Sequence, residues 1–197
     1  MLALERVDVV PINDVPLTAE APKACIGAGT GLGEAYLTWN GNEYDVWSSE
    51  GGHADFAPRD ELEFKLMDFF KQQERVPRVS VERLVSGMGI PRIYDFYCSL
   101  HPQEISPEVQ QRIRTEDPGS VIAQSAQEGS CNISRQTIDT FVGCYGAEAG
   151  NLALKTLPFG LKETEQQKPS IHQPYRDPNR RGFRHANHLT QQTAYEA

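Results

Sequence analysis

The feature that most constrains this chain is a glycine-rich stretch, GAGTGLG, which spans Gly27 to Gly33. It overlaps a short apolar run, KACIGA, that is typical of a buried strand. After it come EAYLTW, the pair Asn40-Gly41, and another strand-like run, NEYDVW. An Asn-Gly pair between two strand-like runs predicts a hairpin, because both turn positions favour a positive φ. The glycine-rich stretch therefore lies between strands and does not open a helix.

The chemistry of this stretch suits a phosphate. Four glycines in seven residues allow the backbone amides to approach a ligand closely, and Thr30 adds a hydroxyl donor. The dinucleotide fingerprint G-x-G-x-x-G does not fit, because its third glycine would fall on Leu32 and a strand follows. The lysine of a P-loop is also missing from the stretch. A glycine-rich β-turn without a ligand remains the alternative.

A second polar motif, EGGH, spans Glu50 to His53 within the run SEGGHADFAP. A carboxylate and an imidazole three residues apart can converge on a sugar, whose hydroxyls both donate and accept hydrogen bonds. Asp55 follows, and it can orient His53 or cap the next turn. Two alternatives stay open here: a metal site formed by Glu50, His53 and Asp55, and a polar loop with a satisfied histidine.

Two helix starts follow this motif. Asp60 is predicted to cap a first helix, with Glu63 three residues later. Its predicted buried face consists of five apolar side chains: Leu62, Leu66, Met67, Phe69 and Phe70. Ser80 is predicted to cap a short helix that ends near Gly87. Glu82 lies in its first turn, where the helix dipole favours a carboxylate whatever its function.

Three further helices are predicted towards the end of the patterned region. Ser106-Pro107 and Asp117-Pro118 are cap-then-proline starts, and Gly129 closes the helix that begins at Pro118. The last helix is predicted from about Ser134 to Leu157. Its buried face is predicted from apolar residues at helical spacing: Ile138, Phe141, Val142, Tyr145, Ala149 and Leu152. Its glycines are predicted to pack closely against another element: Gly143, Gly146 and Gly150.

Bulk composition limits the class of protein. Hydrophobic residues make up 39% and charged residues 23%, as in ordinary globular domains. The net charge of −8 argues against a nucleic-acid surface. No run of residues is long and apolar enough to suggest a membrane span. The four cysteines fit no zinc spacing and indicate reduced thiols in a cytosolic protein.

The composition changes near Phe159. From Leu161 to Ala197 the chain is rich in Gln, Pro, Arg, His and Asn, and it shows neither helical nor strand periodicity. Such a segment buries too little apolar surface to offset its ordering entropy, so we expect disorder. His185 and His188 are three residues apart, but no third metal ligand accompanies them.

Taken in order, the glycine stretch, the hairpin, SEGGHADFAP, VERLVSG and GAEAGNLALKTLPFG resemble the bacterial-type glucokinase family. That family has the sugar-kinase or actin-like ATPase fold, which is ribonuclease-H-like. The resemblance covers about Lys23 to Phe159. It implies an α+β fold, namely a partial large domain with a mixed sheet in which a hairpin is followed by helices.

The resemblance also implies the roles of particular residues. Four would bind ATP phosphate: Gly29, Thr30, Gly31 and Gly33. Three would bind glucose hydroxyls: Glu50, His53 and Glu82. It further implies Mg²⁺ with the ATP, a place in glycolysis, a cytoplasmic location without membrane or nucleic-acid partners, and a homodimer for the complete protein. No metal-binding residue is assigned in this chain.

Three parts of that family's machinery are not recognised in this sequence: an N-terminal Asp-x-Gly-Gly-Thr loop, the catalytic Asp and a C-terminal Ala-Gly-Gly adenosine segment. Asn13-Asp14 resembles the family's Asn-Asp base, but Asp14 lies only thirteen residues before Gly27 and the family's interval is far longer. We therefore interpret residues 1–22 as the linker that follows the base, 23–160 as a partial large domain and 161–197 as a tail foreign to the family.

The predicted function is that of the family, ATP-dependent phosphorylation of glucose to glucose 6-phosphate. Since the proton acceptor and most ATP contacts are missing from the sequence, we expect a truncated chain that is weakly active or inactive alone. One alternative is a non-catalytic glucose-binding or regulatory fragment. Another is a nucleotide-dependent oxidoreductase, against which the strand after Gly33 counts.

Overall fold

The structure, a computed structural model, describes residues 18–158 together with the backbone of residues 160 and 161. The predictions for Asp14, for most of the linker and for the tail, including His185 and His188, lie outside the described residues.

A four-stranded mixed sheet with the order β3-β2-β1-β4 begins the fold. Its strands are β1 (Lys23–Ala28), β2 (Leu32–Trp39), β3 (Tyr44–Ser49) and β4 (Gly160–Leu161). The pairs β1–β2 and β2–β3 are antiparallel, whereas β4 runs parallel to β1. The predicted strand before the glycines, the hairpin and the mixed sheet are therefore confirmed.

The turn between β2 and β3 differs from the predicted Asn-Gly turn. It contains four residues, 40–43, and Gly41 is the one among them with a positive φ, of +99°. The Oδ1 of Asn40 accepts hydrogen bonds from the backbone N–H groups of Asn42 and Glu43, each at 3.0 Å. The Asn side chain thus replaces a backbone carbonyl in the turn, so Asn40 needs no positive φ.

Six α-helices lie within the described residues: α1 (Glu61–Glu74), α2 (Val81–Leu84), α3 (Gly89–Leu100), α4 (Pro107–Ile113), α5 (Pro118–Gln127) and α6 (Asn132–Thr156). The cap-then-proline predictions are confirmed, because Ser106 accepts from the N–H of Val109 and Asp117 from that of Ser120. The last helix begins two residues earlier than predicted, with Cys131 as its cap. None of the described helices is long and apolar enough to cross a membrane.

Helix α3, a central element of the core, was not predicted from the sequence. Its buried residues include Ile93, Tyr94 and Phe96. No side chain caps its N-terminus at Met88, and Pro91 stands in its first turn. Proline is tolerated there because the first-turn N–H groups have no partner within the helix. The start of α3 was not predicted because it has no capping side chain and because its first turn contains a glycine and a proline.

The long helix α6 packs against β1, α3 and α5. The Tyr145 hydroxyl fixes it to the sheet by donating to the carbonyl of Ile26 at 3.1 Å. Two of the predicted residues, Phe141 and Leu152, are buried, and the other four are partly buried against the core. The remaining buried residues of the helix, most of them polar, were not predicted: Ile133, Ser134, Thr137, Cys144 and Glu148. A Cβ at Gly143 would lie 3.0 Å from Arg59, as the packing prediction requires, whereas one at Gly146 would meet nothing within 4 Å.

Candidate functional site

The EGGH motif forms a compact polar loop directly after β3. Glu50 precedes a one-turn 3₁₀ helix, Gly51–His53, in which the His53 N–H donates to the Glu50 carbonyl at 3.0 Å. This turn places the two side chains on one side of the loop, where the imidazole Nε2 lies 3.6 Å from the Glu50 carboxylate. Both side chains are exposed, so they can face a ligand together.

The two glycines of this motif allow the loop to approach β2. A Cβ at Gly52 would lie 2.5 Å from the carbonyl oxygen of Leu32, which is too close for any side chain. A Cβ at Gly51 would collide with the carboxylate of Glu34. The loop therefore lies directly on β2, beside the start of that strand.

Glu82 joins this loop to the glycine-rich stretch. It lies in the first turn of α2, and its Oε1 is 3.7 Å from Nδ1 of His53. Its Oε2 accepts a hydrogen bond from the backbone N–H of Leu32, at 3.0 Å. The side chain is 27% exposed, which leaves Oε1 able to meet a ligand while Oε2 fixes the orientation of the carboxylate.

The segment before α2 is held against the loop by backbone hydrogen bonds. The N–H of Phe56 donates to Val79, and the N–H of Val81 donates to Ala54. These two bonds explain how residues about thirty positions apart in sequence, His53 and Glu82, come together. The predicted site residues Glu50, His53 and Glu82 are thus neighbours in the structure.

Arg78 is a site residue that the sequence analysis missed. Its Nη1 donates to the carbonyl of His53 at 3.0 Å and pairs with the carboxylate of Asp55 at 2.8 Å. Asp55 therefore bonds to Arg78, and the two roles suggested for it, orienting the His53 imidazole or capping a turn, are replaced by this contact. An arginine two residues before a cap serine was the one available signal, and it is a weak one.

The glycine-rich stretch is itself the turn of the β1–β2 hairpin. Gly27 pairs with Gly33 and Ala28 with Leu32, so three residues, 29–31, form its tip. Within the tip, the Gly29 N–H donates to the Gly31 carbonyl at 2.8 Å. A Cβ at Gly31 would lie 2.5 Å from Oε2 of Glu82, so the tip packs directly against that carboxylate. The tip is also tied to the segment after α2, because the Gly87 N–H donates to the Gly29 carbonyl.

A cleft of about 460 Å³ opens beside His53 and Glu82. Its wall includes Arg83, whose guanidinium forms an ion pair with Glu74. Glu74 also pairs with Arg92 at 2.9 Å, so one acid from α1 connects α2 and α3. The cleft is large enough for a small polar ligand that rests on the carboxylate and the imidazole.

The metal alternative for Glu50, His53 and Asp55 finds no support in this geometry. Within the described residues, no group of three or more His, Cys, Asp or Glu side chains is arranged to hold a metal ion. The four cysteines all lie in the described region, and none of them forms a disulfide.

Comparison with known proteins gives a consistent result. A family model described as glucokinase matches residues 1–160. A glucokinase from Trichormus variabilis is 46% identical over 171 residues, which cover 81% of this chain and 50% of that relative. The chain therefore spans about half the length of the curated relatives it matches.

Solved structures agree on the fold. A crystal structure of a glucokinase from an Antarctic psychrotroph superposes with a TM-score of 0.65 at 29% identity, covering 81% of this chain and 47% of that one. A glucokinase from Balamuthia mandrillaris, solved in complex with glucose, gives a TM-score of 0.67 at 18% identity over 92% of this chain and 47% of that one. The predicted fold, part of a sugar-kinase domain with a mixed sheet and helices, is confirmed.

Proposed function

This chain belongs to the glucokinase family, and we propose that its described part supplies the glucose-binding face and one phosphate-contacting hairpin of an ATP-dependent glucose kinase. One observation carries the proposal. Glu82 directs one carboxylate oxygen to Leu32, at the base of the glycine hairpin, and the other towards His53. A single side chain thereby sets the spacing between a sugar-binding loop, residues 50–53, and a phosphate-binding turn, residues 29–31.

Glucose suits the acceptors that converge at this loop. The free oxygen of Glu82 and the carboxylate of Glu50 can accept from vicinal hydroxyls, and charged acceptors make the stronger hydrogen bonds. The imidazole of His53 lies between them and can donate with one nitrogen and accept with the other. The Arg78 contact to the His53 carbonyl holds the loop while the side chains engage the sugar.

The hairpin tip is proposed to contact an ATP phosphate through residues 29–33. The Gly29 N–H is already engaged within the turn, and Gly33 lies in the β1–β2 ladder. The exposed hydroxyl of Thr30 and the backbone amides of Thr30 and Gly31 are therefore the proposed donors, and Gly29 and Gly33 keep the approach free of side chains. Mg²⁺ is proposed to arrive with the ATP, since it is commonly held by substrate phosphates and few protein ligands.

Transfer of the phosphoryl group also needs an acceptor for the sugar hydroxyl proton, which contributes roughly 10² to 10⁴-fold in rate. Glu82 is committed to Leu32 and Glu50 to the sugar face, so we propose no base among the described site residues. The 197-residue chain is then expected to bind glucose without efficient turnover. We place it in the cytoplasm, in keeping with four cysteines that form no disulfide.

Two measurements on the 197-residue chain test this proposal. Calorimetry should detect glucose binding that Glu50→Ala weakens, while galactose, which differs from glucose in the orientation of one hydroxyl, should bind more weakly. A coupled assay for glucose 6-phosphate should show little or no product with ATP. Absence of glucose binding would overturn the proposed site. A turnover of about one per second, which is an ordinary enzymatic rate, would overturn the proposed lack of a base.

The alternative function, a non-catalytic glucose-binding fragment, differs from the proposed one in whether the chain binds an ATP analogue. Both interpretations expect glucose to bind at Glu50, His53 and Glu82. A kinase part should also bind an ATP analogue, with an affinity that Thr30→Val reduces. A pure sugar-binding fragment would not respond to the nucleotide.

A further inference from the structure

Two buried acids face each other beneath the sugar-binding loop. Glu34 belongs to β2 and Glu148 to α6, and they are 7% and 4% exposed. Glu34 lies across the ladder from Ile26 on one side and Ser49 on the other. Carboxylates are rarely this buried unless they are paired with a cation or share a proton.

Glu34 and Glu148 accept fewer hydrogen bonds than two buried, ionised carboxylates would need. The carboxyl groups lie within hydrogen-bonding reach of one another, yet Oε1 of each accepts no hydrogen bond from any described group. Oε2 of Glu148 accepts from the Asn151 side chain at 3.0 Å. A proton on Glu34 would allow it to donate to Glu148, whereas two adjacent charges would repel each other in a buried site.

The surroundings of Glu34 favour its protonated state. Burial and the adjacent Glu148 raise the pKa of Glu34 above its ordinary value of 4.5, and Lys155, also from α6, opposes the shift. The residues beside Glu34 in β3 and in the loop, Ser49 across the ladder and Gly51, carry no charge. Glu148 and Lys155 are therefore the charged groups that face Glu34 from the packed elements.

Glu34 is in direct contact with the sugar-binding loop. Oε2 of Glu34 lies so close to Gly51 that a side chain there would collide with it. The Gly51 N–H is fixed by the Ser49 hydroxyl at 2.9 Å, and the next turn positions His53. A shift of the Glu34 carboxyl would therefore move the backbone that carries the site.

We propose that Glu34 holds a proton that it donates to Glu148 and that it acts as a positioning residue for the sugar-binding loop, so that glucose affinity falls when that proton is lost. This inference rests on the proposed function. An acid whose pKa is raised in the folded state favours folding at low pH. That stabilisation is lost as the pH rises above 4.5 through the raised value.

Three forms of the 197-residue chain test the inference: the wild type, Glu34→Gln and Glu61→Gln. Glutamine at position 34 has the shape of the protonated acid and can donate to Glu148 at every pH. Glu61 is an exposed acid paired with Lys65, so its substitution is a matched control. Thermal unfolding, glucose calorimetry and the Gly51 amide NMR signal are followed from about pH 5 to about pH 8.5, across the range in which a raised carboxyl pKa falls.

The wild type and Glu61→Gln should lose glucose affinity with rising pH by at least about fivefold more than Glu34→Gln, a typical coupling between sites. Their unfolding temperatures should fall with pH, and that of Glu34→Gln should fall less. Equal glucose profiles in wild type and Glu34→Gln would overturn the positioning role, and equal unfolding profiles would overturn the proton on Glu34.

If no form binds glucose, the proposed function fails separately, and the Gly51 amide signal then tests the inference alone. A pH-dependent shift that is present in the wild type and missing in Glu34→Gln supports it. The same shift in both contradicts it, because His53 and Glu50 are unchanged in the variant and would be the cause.

Discussion

Two helix starts in this chain look alike in sequence and differ in what their acids do. In α1, the cap Asp60 is followed three residues later by Glu63, and in α2 the cap position Ser80 is followed two residues later by Glu82. Asp60 accepts the N–H of Glu63 at 2.8 Å, whereas the Ser80 side chain makes no capping bond. The first helix start therefore has a side-chain cap of its own, and the second does not.

At α1 the acid serves its own helix and the core. Glu63 has a side chain that is 5% exposed, and its carboxylate accepts from the Arg59 backbone and guanidinium. The thiol of Cys144 also donates to it, and burial followed by the Glu63 charge raises the pKa of that thiol to about 12. Every contact of this carboxylate is structural.

At α2 the acid bonds outside its helix. Glu82 binds the Leu32 N–H, fifty residues earlier in the chain, and turns its second oxygen to His53. A first-turn acid with a self-sufficient local network indicates a structural role, and one that bonds to distant elements and keeps a free oxygen indicates a site. The helix dipole favours both acids and so does not distinguish them.

The largest expected effect is on glucose binding by Glu82→Gln. A glutamine oxygen can still accept from Leu32, but the sugar loses a charged acceptor, so the affinity should fall by about tenfold to a hundredfold. Calorimetry measures this, and the unfolding temperature should change little. An unaltered glucose affinity would assign Glu82 the same structural role as Glu63.

Glu63→Gln should have the opposite profile. It removes the charge that Arg59 and the Asp60-capped turn surround, and we expect a loss of about 1–2 kcal/mol after allowing for the exposure of Arg59. Urea unfolding measures the loss, and glucose affinity of the folded protein should stay at the wild-type value. A weakened affinity at full folding would show that the two helix starts are coupled.

The smallest effects distinguish the two caps. Asp60→Ala removes a capping bond and should cost about 1 kcal/mol in unfolding free energy. Ser80→Ala removes no capping bond and should cost less than half as much. Equal losses for the two variants would mean that Ser80 caps α2 in solution after all.

The parts of the fold that depend on neighbouring residues could be predicted from the sequence. The β1–β2–β3 meander and the starts of α1, α4 and α5 follow from glycine, proline and capping residues whose effect lies within a few positions. The candidate site residues were identified through family-like order. Their convergence in the structure depends on backbone bonds such as Val81 to Ala54, which no local pattern specifies.

The buried face of α1 was predicted incorrectly, because only apolar residues were expected to be buried. Leu62 was predicted in the buried face of α1, but it is 39% exposed and Glu63 is buried instead. An apolar criterion cannot find a buried acid, because the burial of Glu63 depends on Arg59 and Cys144. The burial of Glu34 was not predicted, although strand alternation places Glu34 on the same face of β2 as the buried Leu32.

The Leu32 amide tests the central claim most directly, because it binds the carboxylate proposed to link sugar and phosphate sites. In a ¹H–¹⁵N NMR titration of the wild-type chain with glucose, the Leu32 signal should shift to saturation together with that of His53. Both shifts should follow one binding curve, and Glu82→Gln should move both curves together to higher glucose concentrations, because its side-chain oxygen still accepts from Leu32. A Leu32 signal that stays fixed while His53 saturates would contradict the proposed link.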